Sequence, residues 1–573
     1  MWNAMINRKV KNKSTGTIDD GATIEVHGAV KNKNAEEDNH EISNWEAMMH
    51  MIKSTIGGGF LAMPEAFRNA GLLVGSIGTL FLGVAVLDMM SFIVRASQML
   101  RSGLYAATIL AGQKENNEGV EDEHDKEPID INSKKLILKP LDYPETVEAV
   151  FRYGSGGRFA SWAPFVKKFT TISLIATYYG VNIIYVCVVA STSKQLVDLY
   201  TTGAEMGTWS YAFHDLNIRW YPLVVALLII PMGMIQFIKY LVPFSTIANG
   251  LISAGAVVLF YFIFTDDGGR DPLLPEERSK LVVWPMTRWS LFAGSALCSM
   301  EGVGMLMHIE NTMKRPRQLA GPPYTLHWSM VIIVILNFAL GFFGYIRYGE
   351  RCLGSVPLNL PQNNRLSEAV KIVVTLGILM TYGLQLTVTA DLVWQWLNGK
   401  TENKIYRRIE SKNEEKAAKG LHYYLMRLML IIGTVIVATV VPNVGPMISL
   451  VGSVGFSVLG LVVPVALETV WYWDPKSEDD FEDTVQEMNC DAETVEDGNG
   501  LASAAVLMSK AAKIDKARRK IANRRTLRHV KNAVYVMMAL FALTGGAFYN
   551  LREMLTQAPS HDMPAPAIPR IEA

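Results

Sequence analysis

Long apolar runs are the feature that most restricts how this chain can fold. A helix that crosses a bilayer needs about 20 mainly apolar residues. Half of the 573 residues are hydrophobic, and they are concentrated in such runs. Because backbone groups in hydrocarbon must find partners within the protein, helices are the expected spanning structure. The sequence therefore predicts an all-α polytopic membrane protein with about eleven transmembrane helices, at roughly 45–68, 72–99, 167–192, 220–239, 241–265, 289–312, 325–347, 367–397, 421–441, 445–471 and 531–551.

Polar segments divide the chain and indicate its orientation. Residues 1–43 are charged and poor in large apolar residues, as disordered tails are. A membrane core is predicted at 44–473, followed by a charged loop at 474–530 and a last helix with its tail at 531–573. Lysine and arginine are richer in the segments on the side of the N-terminus. The positive-inside rule therefore places the N-terminus in the cytosol and, after an odd number of crossings, the C-terminus on the outer or lumenal face.

Two of the predicted helices contain residues that interrupt a helix. The first carries three consecutive glycines, Gly57 to Gly59, each weakening a helix by roughly 1 kcal/mol relative to alanine. The sixth carries Gly302 and Gly304 beside the charged Glu301. Matching interruptions in corresponding helices of two halves point to a binding site in an inverted-repeat fold. The sequence thus predicts two five-helix repeats, at about 44–265 and 285–473.

An unwound segment inside a bilayer needs a polar partner, because free peptide groups in hydrocarbon cost several kcal/mol. Helix N-termini present N–H groups and partial positive charge, which suit a carboxylate, whereas helix C-termini present carbonyls, which suit an ammonium group. A zwitterionic amino acid satisfies both. On this interpretation the glycines let the backbone approach the carboxylate, and groups near Ser54, Thr55, Ser299 and Met300 surround the ammonium group.

Several long motifs in order resemble one known family. KSTIGGGFLAMPEAFRNAGLLVG is similar to the first-helix signature of the amino acid/auxin permease superfamily, and most closely to its proton-coupled amino acid transporter branch. SMEGVGMLMHIENTMKRPRQL, GYIRYGERCLGSVPLNLP and PMISLVGSVGFSVLGLVVPVALE resemble later segments of that branch. The resemblance extends from about Trp45 to Trp473. It implies a LeuT-like five-plus-five inverted repeat with discontinuous first and sixth helices and an eleventh helix, carrying small neutral amino acids with protons.

The resemblance also implies roles for particular residues. His50 matches a histidine that is proposed to assist proton coupling in the branch, whereas Met300 stands where the family motif has phenylalanine. The third span lines the site in a LeuT-like fold, so its Tyr178 and Tyr179 are candidates for substrate contact, with helix packing as the alternative. The predicted substrate-binding residues are Ser54, Thr55, Ile56, Gly57, Gly58, Gly59, Tyr178, Tyr179, Ser299, Met300 and Gly302.

Charged side chains at membrane depth are functional candidates by default. We predict that Glu301 and His50 take part in proton coupling. The alternatives are a carboxylate at Glu301 that only holds the break in shape and an interior hydrogen-bonded histidine at position 50. Asp88 and Glu468 fall near predicted helix ends, where snorkelling or capping accounts for them.

The hypothesis from the sequence is a proton-coupled symporter of small neutral amino acids that works by alternating access into the cytosol. It needs no catalytic residue, metal site, cofactor or nucleic acid. In the fold that the resemblance implies, a sodium site usually uses adjacent hydroxyl groups of the eighth span. The threonines of that span are dispersed in this sequence, so protons are favoured over sodium. Two alternatives remain: an amino-acid sensor that signals to unknown cytosolic partners through its tail with little net transport, and an amine or auxin-type permease. The plasma membrane and a lysosomal or endosomal membrane both suit such a protein.

Overall fold

The structure is a computed structural model. It describes residues 42–55, 57–118, 141–154, 158–201, 214–235, 238–265, 288–300, 302–361, 364–398, 421–473 and 525–556. Within these ranges the secondary structure is helical apart from one isolated parallel bridge between Ile42 and Met313. The predicted tail at 1–43, the loop at 474–530 and the C-terminal tail lie largely outside the described residues, and their boundaries stay predictions.

Fifteen helices are used below, labelled in chain order. They are α1 Asn44–Thr55, α2 Gly58–Leu61, α3 Met63–Glu118, α4 Tyr143–Tyr153, α5 Ala163–Tyr200, α6 Tyr221–Met234, α7 Ile238–Phe264, α8 Trp289–Ser299, α9 Val303–Thr312, α10 Arg317–Ala320, α11 Thr325–Tyr348, α12 Arg365–Asn398, α13 Leu421–Val440, α14 Val444–Trp471 and α15 Arg525–Thr556.

All eleven predicted spans correspond to helices. Among the described residues, nine helices are long and apolar enough to cross a membrane. The fourth span, α6, is apolar but shorter, and the first span is divided into α1, α2 and the beginning of α3. The all-α polytopic architecture and the discontinuous first and sixth helices are therefore confirmed, whereas the LeuT-like inverted repeat stays a prediction.

The first and second spans are joined at Gly71. α3 continues across both spans, but at Gly71 its backbone leaves the helical region with φ 76° and ψ 171°. Glycine adopts a positive φ at no steric cost, because it has no Cβ. This residue therefore marks the end of the first span and the start of the second, within one residue of the boundary expected from hydropathy.

The turn between the fourth and fifth spans was predicted too late in the chain. The predicted spans 220–239 and 241–265 place it at residue 240, but α6 ends at Met234 and α7 begins at Ile238. The cause lies in a distant helix: the buried guanidinium of Arg427 donates hydrogen bonds to the carbonyls of Gly233 and Ile235. A cation stabilises the carbonyl end of a helix, so α6 ends where this side chain reaches it.

The start of the first span is tied to the end of the sixth. The backbone N–H of Ile42 donates to the carbonyl of Thr312 at 2.9 Å, and the N–H of Lys314 donates back to Ile42 at 3.0 Å. The side chain of Asn44 donates to Gln318 at 2.6 Å. The outer ends of the two broken helices are therefore fastened to each other on this face of the protein.

An ion pair lies at the same face. Arg101 at the end of the second span contacts the fully buried carboxylate of Glu310 in α9 and donates to Asn311. The Arg101 side chain keeps 24% of its exposure. Removing one member of such a pair leaves the other charge buried without compensation, which costs more than the pair itself contributes.

We expect Arg101→Met to lower the free energy of unfolding by about 2 kcal/mol, below the range for a fully enclosed pair because the arginine is partly solvated. The double variant Arg101→Met/Glu310→Met removes both charges and is expected to regain much of the loss. Thermal unfolding of the purified protein in detergent measures both. Equal losses in the single and double variants would show that the pair is not coupled.

Candidate functional site

The first break lies between Thr55, where α1 ends, and Gly58, where α2 begins. Gly57 is extended, with φ −143° and ψ −154°. Its N–H donates to the carbonyl of Thr55 at 2.9 Å, and its carbonyl accepts from Leu61 at 3.2 Å. Ile56, predicted to bind substrate, lies outside the described residues. The glycine run therefore interrupts the helix at the place that the sequence indicated.

The second break lies between Ser299, where α8 ends, and Val303, where α9 begins. Met300 and Gly302 both leave the helical region, with φ −102° and ψ 18° at Met300 and φ −169° and ψ −9° at Gly302. Glu301, predicted to couple protons, lies outside the described residues. Each of the two broken helices therefore has two helix ends at its break.

The two breaks meet directly at Gly59. A Cβ added to this glycine would lie 2.7 Å from the carbonyl carbon and oxygen of Cys298 and 2.8 Å from the Cα of Ser299. Only the absence of a side chain lets the two backbones approach this closely. The third glycine of the run is thus needed for contact between the first and sixth spans, whereas the first two face only side chains of α5.

A small cavity adjoins the first break. Its volume is about 20 Å³, room for roughly one water molecule and too little for an amino acid. Five predicted residues line it, together with four residues of α5 and α8 that the sequence analysis did not single out. The predicted ones are Ser54, Thr55, Gly57, Gly58 and Gly59, and the others are Val181, Ile184, Tyr185 and Cys298.

One face of α5 supplies the missed residues. The hydroxyl of Tyr185 lies 3.8 Å from the Cβ position of Gly57, and Cγ2 of Ile184 lies 3.1 Å from that of Gly58. Tyr185 is seven residues after Tyr178, two helical turns, so the two tyrosines share a face. This spacing is the signal by which Tyr185 could have been found.

The two predicted tyrosines go to different places. Tyr178 is buried and its hydroxyl fills the space beside Gly304 in α9, so it lies against the second break. Tyr179 is rotated away from this face, and its hydroxyl donates to the carbonyl of Leu430 in α13 at 3.2 Å. The structure therefore supports the packing alternative for Tyr179, and Tyr179 is not among the residues that line the cavity.

The predicted residues of the sixth span are buried at the second break rather than in the wall of the cavity. Ser299 is fully buried, its hydroxyl donates to the carbonyl of Ala296 at 2.8 Å, and its own carbonyl accepts from Asn337 at 3.5 Å. Met300 is almost completely buried. Gly302 is also buried, next to the side chain of Met90. These groups reach a ligand only if the second break opens.

The hydroxyls at the end of α1 are turned back onto their own helix. Ser54 and Thr55 both donate to the carbonyl of Met51, at 2.8 and 2.9 Å. The last carbonyls of a helix lack partners within that helix, and the helix dipole adds partial negative charge to them. The cavity therefore lies beside a negative helix end and the positive start of α2. These two poles match the two charged groups of a small zwitterion, for which the cavity as it stands is too small.

His50 stands apart from the cavity. It lies on α1, more than one turn before the break, and its side chain is exposed. Among the described residues, no three His, Cys, Asp or Glu side chains are grouped so that they could hold a metal ion. The candidate site is thus formed by helix ends, by glycines and by the face of α5 that carries Tyr178 and Tyr185.

Comparisons with known proteins agree with this architecture. A family model described as "Transmembrane amino acid transporter protein" matches residues 40–488, well over half of the chain. The proton-coupled amino acid transporter-like protein pathetic of Drosophila melanogaster is 27% identical over 438 residues, which cover 76% of this chain and 78% of that protein. The vacuolar amino acid transporter 3 of Saccharomyces cerevisiae is 23% identical over 361 residues, covering 62% of this chain and 42% of that protein. The family match shows that the chain belongs to the transmembrane amino acid transporter protein family, whose members are transport proteins and not enzymes.

Proposed function

We propose that this protein is a proton-coupled symporter that carries small neutral amino acids into the cytosol by alternating access. The observation that carries the proposal is the direct contact of two broken helices at Gly59 and Ser299, with a cavity at the first break. Four half-helix ends at one place offer both a positive and a negative pole. A free amino acid is the small molecule that matches both poles with its own two charged groups.

The residues around the cavity favour a small and uncharged side chain. None of the described lining residues is acidic or basic, so a charged substrate side chain would be buried without a counter-charge, which is unfavourable. The face of α5 contributes Val181, Ile184 and Tyr185, which restrict the width. Glycine, alanine and proline are therefore the proposed substrates, and binding requires the cavity to widen beyond its present volume.

A proton suits the driving ion better than sodium. A sodium ion in the eighth span would use threonine oxygens, but Thr387 accepts a hydrogen bond from the guanidinium of Arg427. Thr389 accepts from Asn182 at 3.2 Å. A fixed positive charge beside Thr387 repels a cation. We propose that His50 in the first span and Glu301 in the sixth span carry the proton.

The direction of transport follows from the orientation that the positive-inside rule predicts. With the N-terminus in the cytosol, a proton gradient directed into the cytosol drives substrate the same way. Acidic conditions outside the cell or inside a lysosome or endosome supply such a gradient. We therefore propose the plasma membrane or a lysosomal or endosomal membrane as the location.

Uptake of labelled alanine into proteoliposomes tests the proposal. We expect accumulation when the outside is more acidic than the lumen and its loss when an ionophore collapses the gradient. Glu301→Gln removes a titratable group while it keeps the volume, so we expect exchange of alanine to persist while accumulation driven by the gradient falls at least tenfold. His50→Gln is measured alongside.

Four results would each contradict a different part of the proposal. Alanine uptake that ignores the proton gradient would exclude proton coupling. Binding of alanine with little uptake would favour a sensor. Preference for an amine or an aromatic anion over glycine, alanine and proline would favour an amine or auxin-type permease. Unchanged coupling in Glu301→Gln would leave that carboxylate a structural role.

A further inference from the structure

A patch of basic and aromatic side chains lies away from the broken helices, where α4 meets the start of α5. The carboxylate of Glu148 in α4 contacts Arg152 of its own helix and Lys167 of α5, both at 2.6 Å. This contact fastens the two helices to each other and holds two cations beside one carboxylate. The two basic side chains keep 47% and 42% of their exposure.

Two further basic residues belong to the same patch. Arg158 lies in the connection between α4 and α5, Lys168 follows Lys167, and both side chains are exposed. Neither forms an ion pair or a hydrogen bond within the described part of the chain. Four positive charges against the one negative charge of Glu148 leave an excess of three. We call these five residues the basic junction: Glu148, Arg152, Arg158, Lys167 and Lys168.

Exposed aromatic rings lead from the basic junction into the membrane-spanning part of α5. Trp162, just before α5, is 59% exposed, and Phe165 is 61% exposed. Phe165 stacks on Phe169 one turn later, with ring centres 6.5 Å apart. Spacings of three and four residues place the rings on one face of the helix. An exposed apolar face at the beginning of a spanning helix contacts lipid, so the basic junction lies where hydrocarbon meets the headgroups.

We propose that the basic junction binds the headgroup of an anionic phospholipid, while Trp162 and Phe165 contact the glycerol region and the acyl chains of the same molecule. In the predicted orientation α5 begins on the cytosolic side, and the cytosolic leaflet carries the anionic lipids. Basic groups beside spanning helices on that side attract such headgroups. The inference goes beyond the proposed function, because it concerns a membrane lipid and not the transported solute.

The charge of the basic junction favours an anionic headgroup over a zwitterionic one. Arginine and lysine form short, charge-assisted hydrogen bonds with phosphate and carboxylate oxygens, and the excess positive charge is balanced only by a ligand with net negative charge. Other acidic residues of α4 do not supply it. Asp142 and Glu145 form the capping box at the start of this helix, about 10–15 Å along its axis from Arg152, which exceeds the screening length of about 8 Å at physiological salt.

An acidic segment of the chain itself is the competing occupant. Two residues after α14, the ring of Trp473 packs against Phe159 with ring centres 5.5 Å apart. The chain then continues to 478–483, a segment with five acidic side chains that lies outside the described residues. The aromatic face of α5 favours the lipid, because one phospholipid contacts both the basic groups and the rings, whereas a solvated acidic peptide leaves Phe165 and Phe169 without an apolar partner.

Native mass spectrometry of the purified full-length protein, with phosphatidylserine or phosphatidylcholine added in detergent, tests the proposal. We expect the wild type to bind phosphatidylserine at least about tenfold more tightly than phosphatidylcholine, since each basic group near a membrane surface contributes to the attraction. Arg158→Gln/Lys168→Gln removes two cations that have no ion pair to lose. In this variant we expect the two lipids to bind equally within about twofold.

Matched controls separate the basic junction from basic residues in general. Arg219→Gln/Arg365→Gln changes the net charge by the same amount, at the starts of helices on the predicted outer face, and is expected to keep the preference for phosphatidylserine. Trp162→Ala/Phe165→Ala is expected to weaken both lipids by a similar factor, because the rings contact parts that the two lipids share. Added salt should weaken phosphatidylserine alone, a measurement on the wild type that does not depend on how any variant folds.

Four results would overturn the proposal. The first is equal binding of the two lipids by the wild type. The second is a preference that persists in Arg158→Gln/Lys168→Gln, and the third is an equal loss in Arg219→Gln/Arg365→Gln, since either would place the lipid elsewhere. The fourth is a preference that the wild type lacks and that emerges when the acidic side chains of 478–483 are neutralised, because this segment would then cover the basic junction. Alanine uptake enters none of these measurements, so their outcome is independent of the proposed function.

Discussion

Gly59→Ala is expected to reduce alanine uptake at least about tenfold, since overpacking of this kind costs roughly 1–3 kcal/mol or more. The new Cβ would lie 2.7 Å from the backbone of Cys298 and 2.8 Å from that of Ser299. A backbone cannot rotate away as a side chain can, so the first and sixth spans must separate. That separation pulls the two breaks apart at the point where they now meet. Uptake per amount of folded protein, judged by size-exclusion chromatography, is the measurement.

The neighbouring glycines provide matched controls. Gly57→Ala meets only the Tyr185 hydroxyl at 3.8 Å, which is ordinary van der Waals contact, and Gly58→Ala meets the movable tip of Ile184 at 3.1 Å. We expect increasing effects from position 57 to 58 to 59. Gly250→Ala in α7, where the Cβ meets nothing within 4 Å, should leave uptake unchanged. Equal losses at positions 57, 58 and 59 would mean that flexibility, and not close approach, is what the glycine run provides.

The second large effect is expected for Arg427→Leu, which should lower the free energy of unfolding by at least about 3 kcal/mol. Arg427 is fully buried and donates to the carbonyls of Gly233 and Ile235, to Thr387 and to the hydroxyl of Tyr423. Leucine fills part of the volume but supplies no donor. The two carbonyls at the end of α6 belong to the backbone, so no side-chain rearrangement removes them from the interior.

Thermal unfolding in detergent measures this loss, and Arg152→Leu is the matched control. Arg152 is about half exposed and pairs with Glu148 at 2.6 Å, and exposed pairs contribute about 1 kcal/mol or less. Arg427→Lys keeps the positive charge but cannot donate in four directions, so an intermediate loss is expected. A variant Arg427→Leu as stable as Arg152→Leu would contradict the assigned role in ending α6.

The proposed substrate site is closed in this structure. The cavity beside the first break, about 20 Å³, has room for roughly one water molecule, while Ser299 and Met300 at the second break are buried. In the proposed function, an amino acid enters this cavity only when α5 or α8 separates from α1 and α2. The bridge between Ile42 and Met313 joins the first span to the sixth on the predicted cytosolic side. We expect the two broken helices to move as a connected unit there.

Much of the fold could be predicted from local sequence. Each run of about 20 apolar residues has only the helix as a way to satisfy its backbone in lipid, so the spans follow from hydropathy alone. Gly57 and Gly302 interrupt their helices in the two predicted segments, because glycine lowers helix stability whatever its neighbours are. Gly304, also expected to interrupt the sixth helix, is instead helical in α9. Five of the predicted residues line the cavity because they flank the first break in the chain.

The remaining features depend on residues far apart in the chain. Hydropathy does not determine how a helix is rotated about its axis, so only the tertiary structure showed that Tyr185 faces the first break and that Tyr179 faces α13. The end of α6 is decided by Arg427, on a helix much later in the chain. The partner of Asp88 is Lys531, on a helix that follows a long polar loop. The sequence alone determined which segments span the membrane and where two of them break, since both are local consequences of side-chain chemistry, whereas the pairing of side chains between helices was decided by tertiary packing.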